Sequence, residues 1–155
     1  FWKPAFAQCW SPKASAVDGE HIWAIAAPSY GAFTVACNAT PWSCRFPSVT
    51  DLVLSPDGRH AAALGSQNNS DFRVIVDGKV WETPFDMAWP VVFAPTNDHA
   101  AAKVRRDGKY AVYADGKAVI ENLDDVWNPT FSPDGSVLLF CSLKDGVFSR
   151  HTVRL

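Results

Sequence analysis

Three histidines, His21, His60 and His99, stand 39 residues apart. Imidazoles are common zinc ligands, so the trio invites a metal reading. An interval that long instead marks equivalent positions in successive units of a repeat. Such positions diverge around the axis of an array, too far apart for ~2 Å bonds to one ion. Each is therefore expected to be a polar residue starting a strand near solvent. The four cysteines, Cys9, Cys37, Cys44 and Cys141, form no C-x-x-C or C-x-x-C-H, which excludes a zinc ribbon, a thioredoxin motif and c-type haem attachment. Cys37 and Cys44 flank an expected hairpin, as two reduced, half-buried thiols or as a cross-hairpin disulfide. No G-x-S-x-G elbow, P-loop, dinucleotide fingerprint or D-x-[DN]-x-[DN]-G calcium loop is present. These absences leave no catalytic residue, no metal ligand and no cofactor to expect.

The elements that carry these residues are legible from the glycines. Seven of nine follow an aspartate: Asp18-Gly19, Asp57-Gly58, Asp77-Gly78, Asp107-Gly108, Asp115-Gly116, Asp134-Gly135 and Asp145-Gly146. Asp-Gly is a strong signal for a type I′ β-hairpin, whose two central residues both need positive φ. The chain is therefore expected to be all-β. Other landmarks share the histidine period. Pro56, Pro95 and Pro133 are 39 and 38 apart; Phe33, Phe72, Tyr110 and Phe148 are 39, 38 and 38 apart. Trp42 and Trp81 are 39 apart, with Ile120 the same distance on. Trp89 and Trp127 are 38 apart, each four residues before a phenylalanine, and Trp2 stands in the same relation to Phe6. Helix-free repeats near 40 residues indicate β-propeller blades of four antiparallel strands.

Strand a leads into a Ser-Pro-Asp-Gly turn, Val126 to Phe131 into Ser132-Pro133-Asp134-Gly135 and Asp51 to Leu54 into Ser55-Pro56-Asp57-Gly58. Strand b is a small apolar run such as Ala61-Ala62-Ala63-Leu64, suited to burial on both faces. Strand c alternates, and strand d is short. The units run about 1–46, 47–85, 86–123 and 124–155, the last without a strand d. That is about three and a half blades and about fifteen strands. With Trp2 and Phe6 read as strand a, the chain offers no spare strand d. The expectation is the C-terminal part of a larger propeller, or a half that assembles with another half. Trp89 and Trp127 are expected in the core.

Residues 7–18 depart from this scheme as an insertion in the first unit. It carries Cys9, Trp10 and Lys13, with Trp10 a binding anchor or a self-packed side chain. The net charge of -2, with Arg105-Arg106 the only adjacent basic pair, argues against nucleic acid. No run of ~20 apolar residues is present, so no transmembrane segment of its own is expected.

Several blocks resemble a known family: Ser29-Tyr30-Gly31-Ala32-Phe33-Thr34-Val35, Pro41-Trp42, Val49 to Gly58, Ala61 to Gly65, Val76-Asp77-Gly78-Lys79-Val80-Trp81, Phe85 to Trp89 and Val126 to Gly135. From about Gly19 onward the chain is similar to the C-terminal part of the TmcD-like tryptophan-rich subunits of the Tmc transmembrane redox complex of sulfate-reducing bacteria. The match goes beyond the F-S-P-D-G signature that TolB-like and peptidase propellers share. Ala94-Pro95-Thr96-Asn97 and Ile120 depart from it, as do residues 7–18. The resemblance implies a cofactor-free, non-catalytic scaffold subunit, cytoplasmic and peripheral to the inner membrane. Its implied partners are a multihaem cytochrome c, a membrane cytochrome b and an iron-sulfur protein, and its role electron transport in sulfate respiration. The other reading is a free-standing propeller module that binds a peptide or small ligand. A peptidase lid would need a hydrolase domain beside it.

Overall fold

A computed structural model describes residues 5–155 apart from Asn69 and Asn97. The expectations placed on Trp2 therefore lie outside the described residues. The described chain is all-β, with 17 strands in four antiparallel sheets arranged as propeller-type blades. The first sheet holds β1 (Gln8–Ala14), β2 (Ile22–Ser29), β3 (Ala32–Cys37) and β4 (Thr40–Pro41) in that order. The second repeats it with β5 (Ser48–Leu54), β6 (Ala61–Asn68), β7 (Asp71–Val76) and β8 (Lys79–Val80). In the third, β9 (Met87–Ala88) and β10 (Val92–Phe93) both pair with β11 (Ala100–Arg106), followed by β12 (Lys109–Ala114) and β13 (Lys117–Leu123). In the fourth, β14 (Asp125–Val126) and β15 (Thr130–Phe131) pair with β16 (Val137–Lys144), whose other side carries β17 (Val147–Arg154).

The strand count exceeds the expected fifteen by two because strand a is broken in the last two sheets. In the first two sheets a bulge interrupts it, at Ser11 (φ 51°) and Asp51 (φ 54°). In the last two, Pro90 and Pro129 fall in the corresponding stretch. A proline cannot donate to the ladder, so the strand survives as two short pieces.

The Asp-Gly turns divide into two kinds. At Asp77, Asp107, Asp115 and Asp145 the aspartate and its glycine both have positive φ, as a type I′ hairpin requires. At Asp18, Asp57 and Asp134 only the glycine does, so the hairpin reading fails there. In the second and fourth units a serine closes the longer loop. Ser55 Oγ–H donates to Asp57 Oδ1 at 2.5 Å and accepts from the His60 N–H at 3.0 Å. Ser132, Asp134 and Val137 repeat the pattern at 2.5 and 3.0 Å.

The core lies between sheets. Trp23, Ile25 and Val35 of the first sheet pack against Ala61, Ala63 and Ile75 of the second. Ala62, Leu64 and Val74 turn the other way, onto Ala100 and Ala102 of the third sheet. Ala101 and Val112 continue onto Leu138 and Phe140 of the fourth. The central strands β2, β6 and β11 are thus buried on both faces, as their small apolar runs imply, whereas β16 is fully buried on one face only. Trp42 of the first unit lies over the hairpin Gly78 of the second, and Trp81 of the second lies over Gly116 of the third.

Gly65 has a different reason to be glycine. A Cβ there would stand 2.6 Å from the ring of Phe46, which is itself buried. Gly65→Ala should cost about 1–3 kcal/mol by overpacking, read from urea unfolding. An unchanged midpoint would show that the Phe46 ring can yield.

Candidate functional site

The stretch expected as an inserted loop is a strand. β1 pairs with β2, placing Cys9 opposite Ala26, Trp10 opposite Ile25 and Lys13 opposite Trp23. The first unit's excess is a single residue: Ala14 to Ile22 spans 8 where Leu54 to Ala61 spans 7. Trp10 is therefore on the repeat, at the position of Thr50, Trp89 and Trp127. The misreading came from Phe6. The Ala7 N–H donates to the Ala27 carbonyl at 2.8 Å, just as Asp86 does to Arg105 and Asp124 to Leu143. Phe6 thus corresponds to Phe46, Phe85 and Leu123, ahead of strand a and not within it. Trp10 stands edge-on to Phe33 with centroids 5.2 Å apart and stays 37% exposed. Cys9 and Lys13 are exposed on the same strand. Desolvation raises the Cys9 thiol, which leaves it a poor nucleophile.

Each recurring histidine meets an aspartate. His21 Nδ1 is 2.9 Å from Asp18, and His99 Nδ1 is 2.6 Å from Asp115. His60 lies between two carboxylates, Nδ1 2.6 Å from Asp77 and Nε2 3.2 Å from Asp98. The second oxygens of Asp77 and Asp115 accept the Ala61 and Ala100 N–H groups, both at 2.9 Å. Each hairpin carboxylate thus pins the start of strand b. Among the described residues no three His, Cys, Asp or Glu side chains converge on a metal position. The hydrogen bond to Asp77, reinforced by the charges of Asp77, Asp98 and Asp57, raises the His60 pKa against desolvation. Cys37 and Cys44 are free, half-buried thiols raised by desolvation.

Two concavities stand out. One, of about 660 Å³, opens between the second and third sheets, walled by His60, Asp77, Trp81, Asp98, Asp115 and Lys117. Of these, His60, Asp77 and Asp115 are already engaged in closing the turns. The other, of about 420 Å³, lies on the fourth sheet and is lined by Trp127, Leu139, Cys141, Phe148 and Arg150. Trp127 stands edge-on to Phe148 with centroids 5.4 Å apart, and the two are 49% and 61% exposed. The expectation of a buried Trp127 is therefore overturned.

That face is the fourth member of a series. Trp10–Phe33, Phe72 and Trp89–Tyr110 occupy the same repeat positions in the first three sheets. Phe33, Phe72 and Tyr110 each pack against the core shared with the following sheet. Between Trp89 and Tyr110 the Lys103 ammonium sits 4.8 and 4.7 Å from the ring centroids and reaches Asp125 of the fourth sheet at 3.2 Å. In the fourth sheet Cys141 replaces Lys103, and the pair stays open. The 38-residue recurrence of Trp89 and Trp127 signalled this position, but not which of its copies are covered.

The architecture defines the chain as an all-β array of propeller-type blades. No protein-family model matches it, and no curated protein matches it. A solved structure from Bacteroides uniformis, named as a putative 6-phosphogluconolactonase, is similar at 14% identity and a TM-score of 0.39. The likeness covers 94% of this chain and 57% of that protein, and at this level nothing about activity passes between them. Among the described residues no helix is long and apolar enough to cross a membrane.

Two outcomes follow. A raised histidine pKa contributes stability that is complete below the unfolded value of about 6.5 and is lost as pH rises through the folded value. Wild-type stability should therefore fall above about pH 6.5 relative to His60→Asn, read from urea midpoints at acidic and alkaline pH. A gap between the two proteins that widens with rising pH would reverse the assignment. Trp89→Ala should cost about 2 kcal/mol, less than the 3–5 of a fully buried aromatic, while Trp127→Ala at low protein concentration should stay within about 0.5 kcal/mol. Equal losses would place both rings in the core.

Proposed function

We propose that this chain is a non-catalytic scaffold subunit of a membrane-associated respiratory electron-transfer complex. The scaffold reading is carried by the exposed aromatic pair on the fourth sheet, Trp127 with Phe148; the counterparts of Phe148 in the preceding sheets, Phe33, Phe72 and Tyr110, pack against the next core. Exposed aromatics in a concave apolar surface are the usual anchors of protein interfaces. The histidines and carboxylates that could have done chemistry are spent on turn closure. The redox assignment rests on the sequence blocks shared with TmcD-like subunits. It names as partners a multihaem cytochrome c, a membrane cytochrome b and an iron-sulfur protein, with this chain on the cytoplasmic side of the inner membrane.

A second reading, a module that captures a peptide or small ligand, is favoured by the cleft of about 660 Å³ beside His60 and Trp81. Affinity purification of the tagged chain from native membranes, read by mass spectrometry, separates the two. The scaffold reading expects both cytochromes and the iron-sulfur protein in stoichiometric yield. It also expects their loss with Phe148→Arg at unchanged thermal stability. Recovery of the chain without haem or iron-sulfur partners would overturn it.

A further inference from the structure

The cleft between the second and third sheets has a counterpart between the first and second, where an indole occupies the space. Strand pairing sets the comparison. Trp23 pairs with Cys37 as Ala62 pairs with Val76 and Ala101 with Ala114, so the three hold one repeat position at the start of strand b. Each packs toward the following sheet. Trp23 crosses its gap. The indole N–H donates to the Gly58 carbonyl in the second sheet's turn at 3.1 Å, and the ring stands edge-on to Trp42 with centroids 6.2 Å apart. Ala61 and Cys37 belong to the same cluster.

One gap further on, Ala62 supplies only a methyl group. Phe93, where Leu54 stands one unit earlier, makes up part of the lost volume. The remainder is open. Trp81, Val76, Ala100 and Gly116 line the cleft, and they are the counterparts of Trp42, Cys37, Ala61 and Gly78. The cleft thus corresponds to the space an indole takes up in the neighbouring gap. Its wall also holds polar groups that the fold does not use. Trp81 is 7% exposed, yet among the described residues no acceptor takes its indole N–H. Lys79, Lys117 and Glu82 line the cleft and form no ion pair among the described residues. Asp98 is 85% exposed, with one oxygen 3.2 Å from His60 Nε2.

We propose that this cleft binds an aromatic amino acid, free or as a residue of a peptide. The ring takes the place that Trp23 fills one gap earlier, edge-on to Trp81, an arrangement that aromatic pairs prefer. The polar groups of the amino acid meet the rim. Its ammonium, or amide N–H groups in a peptide, face Glu82 and Asp98. Its carboxylate, or carbonyls in a peptide, face Lys79, Lys117 and the Trp81 N–H. A rim that carries both signs suits such a ligand better than an ion of one sign. The volume of about 660 Å³ lies within the roughly 300–1,000 Å³ of ligand pockets, which set a few polar groups around an apolar floor. This inference rests on the second reading, capture of a ligand in this cleft, and names the ligand's class. The scaffold role neither requires nor forbids it.

Isothermal titration calorimetry of the purified chain tests it, with tryptophan, N-acetyltryptophanamide, leucine and arginine as probes at millimolar concentration. Tryptophan or its capped form should bind at least about tenfold more tightly than leucine. Tighter binding of the free amino acid assigns a free ligand, and equal or tighter binding of the capped form assigns a peptide residue. Ala62→Trp, which returns the indole to the gap, should abolish binding. Because Phe93 crowds that position, the exposed rim variants Glu82→Lys and Lys117→Glu carry the test should Ala62→Trp not fold. Each should weaken the tighter of the two tryptophan probes about fivefold at an unchanged circular dichroism spectrum. Undiminished binding to the folded variants places the ligand elsewhere and overturns the proposal. Leucine or arginine bound as tightly as tryptophan overturns the aromatic ligand and leaves capture in the cleft standing. Binding of no probe overturns the proposal, and a mixed peptide library that also fails to bind the immobilised chain takes the capture reading with it.

Discussion

Everything in this molecule depends on sheets that are buried on both faces. A strand at the centre of a stack must present side chains to two neighbours at once, so Ala61, Ala62, Ala63, Ala100, Ala101 and Ala102 are almost wholly inaccessible. Small residues let adjacent sheets approach, and the volume is filled from the periphery. Phe46 sits against Gly65, Trp42 over Gly78 and Trp81 over Gly116. These contacts couple each unit to the next and none acts within a single sheet. A unit taken alone would leave both faces of its central strand in water, which is why stability in such arrays belongs to neighbouring pairs.

The same stacking explains where the polar groups went. At the ends of the strands the backbone must be satisfied without help from a neighbouring ladder. Asp77 and Asp115 hold the first N–H of strand b with one oxygen and a histidine with the other. Asn38 takes the corresponding Ile22 N–H with its amide oxygen. Recurring histidines and aspartates thus arise from a recurring structural need. Serine does the equivalent work in the longer turns, where it holds down Asp57 and Asp134; the Ser132 and Ser136 bonds lower the Asp134 carboxyl to about 2. What is left for partners is surface that the stack has not consumed, and the fourth sheet supplies an adjacent exposed aromatic pair, Trp127 and Phe148.

Much of the architecture was written in the sequence. Asp-Gly pairs set the turns, the 38- and 39-residue intervals set the unit, and the alanine runs set which strand is buried on both sides. These are local properties, determined by φ preferences and by side-chain size. Two errors share one cause. Trp-x-x-x-Phe occurs at Trp42–Phe46 and Trp81–Phe85, before strand a, and again at Trp89–Phe93 and Trp127–Phe131, within it. Spacing alone cannot say which of the two Trp2–Phe6 is. Only the hydrogen bond from Ala7 to Ala27 fixes the phase, and with it the place of Trp10 on a strand opposite Ile25. Exposure was undetermined for the same reason. Trp89 and Trp127 occupy the same repeat position, yet Trp89 shares Lys103 with the next sheet while Trp127 is 49% exposed. Repeat position is a property of the chain; burial is decided by the neighbouring sheet, through contacts that no stretch of sequence contains.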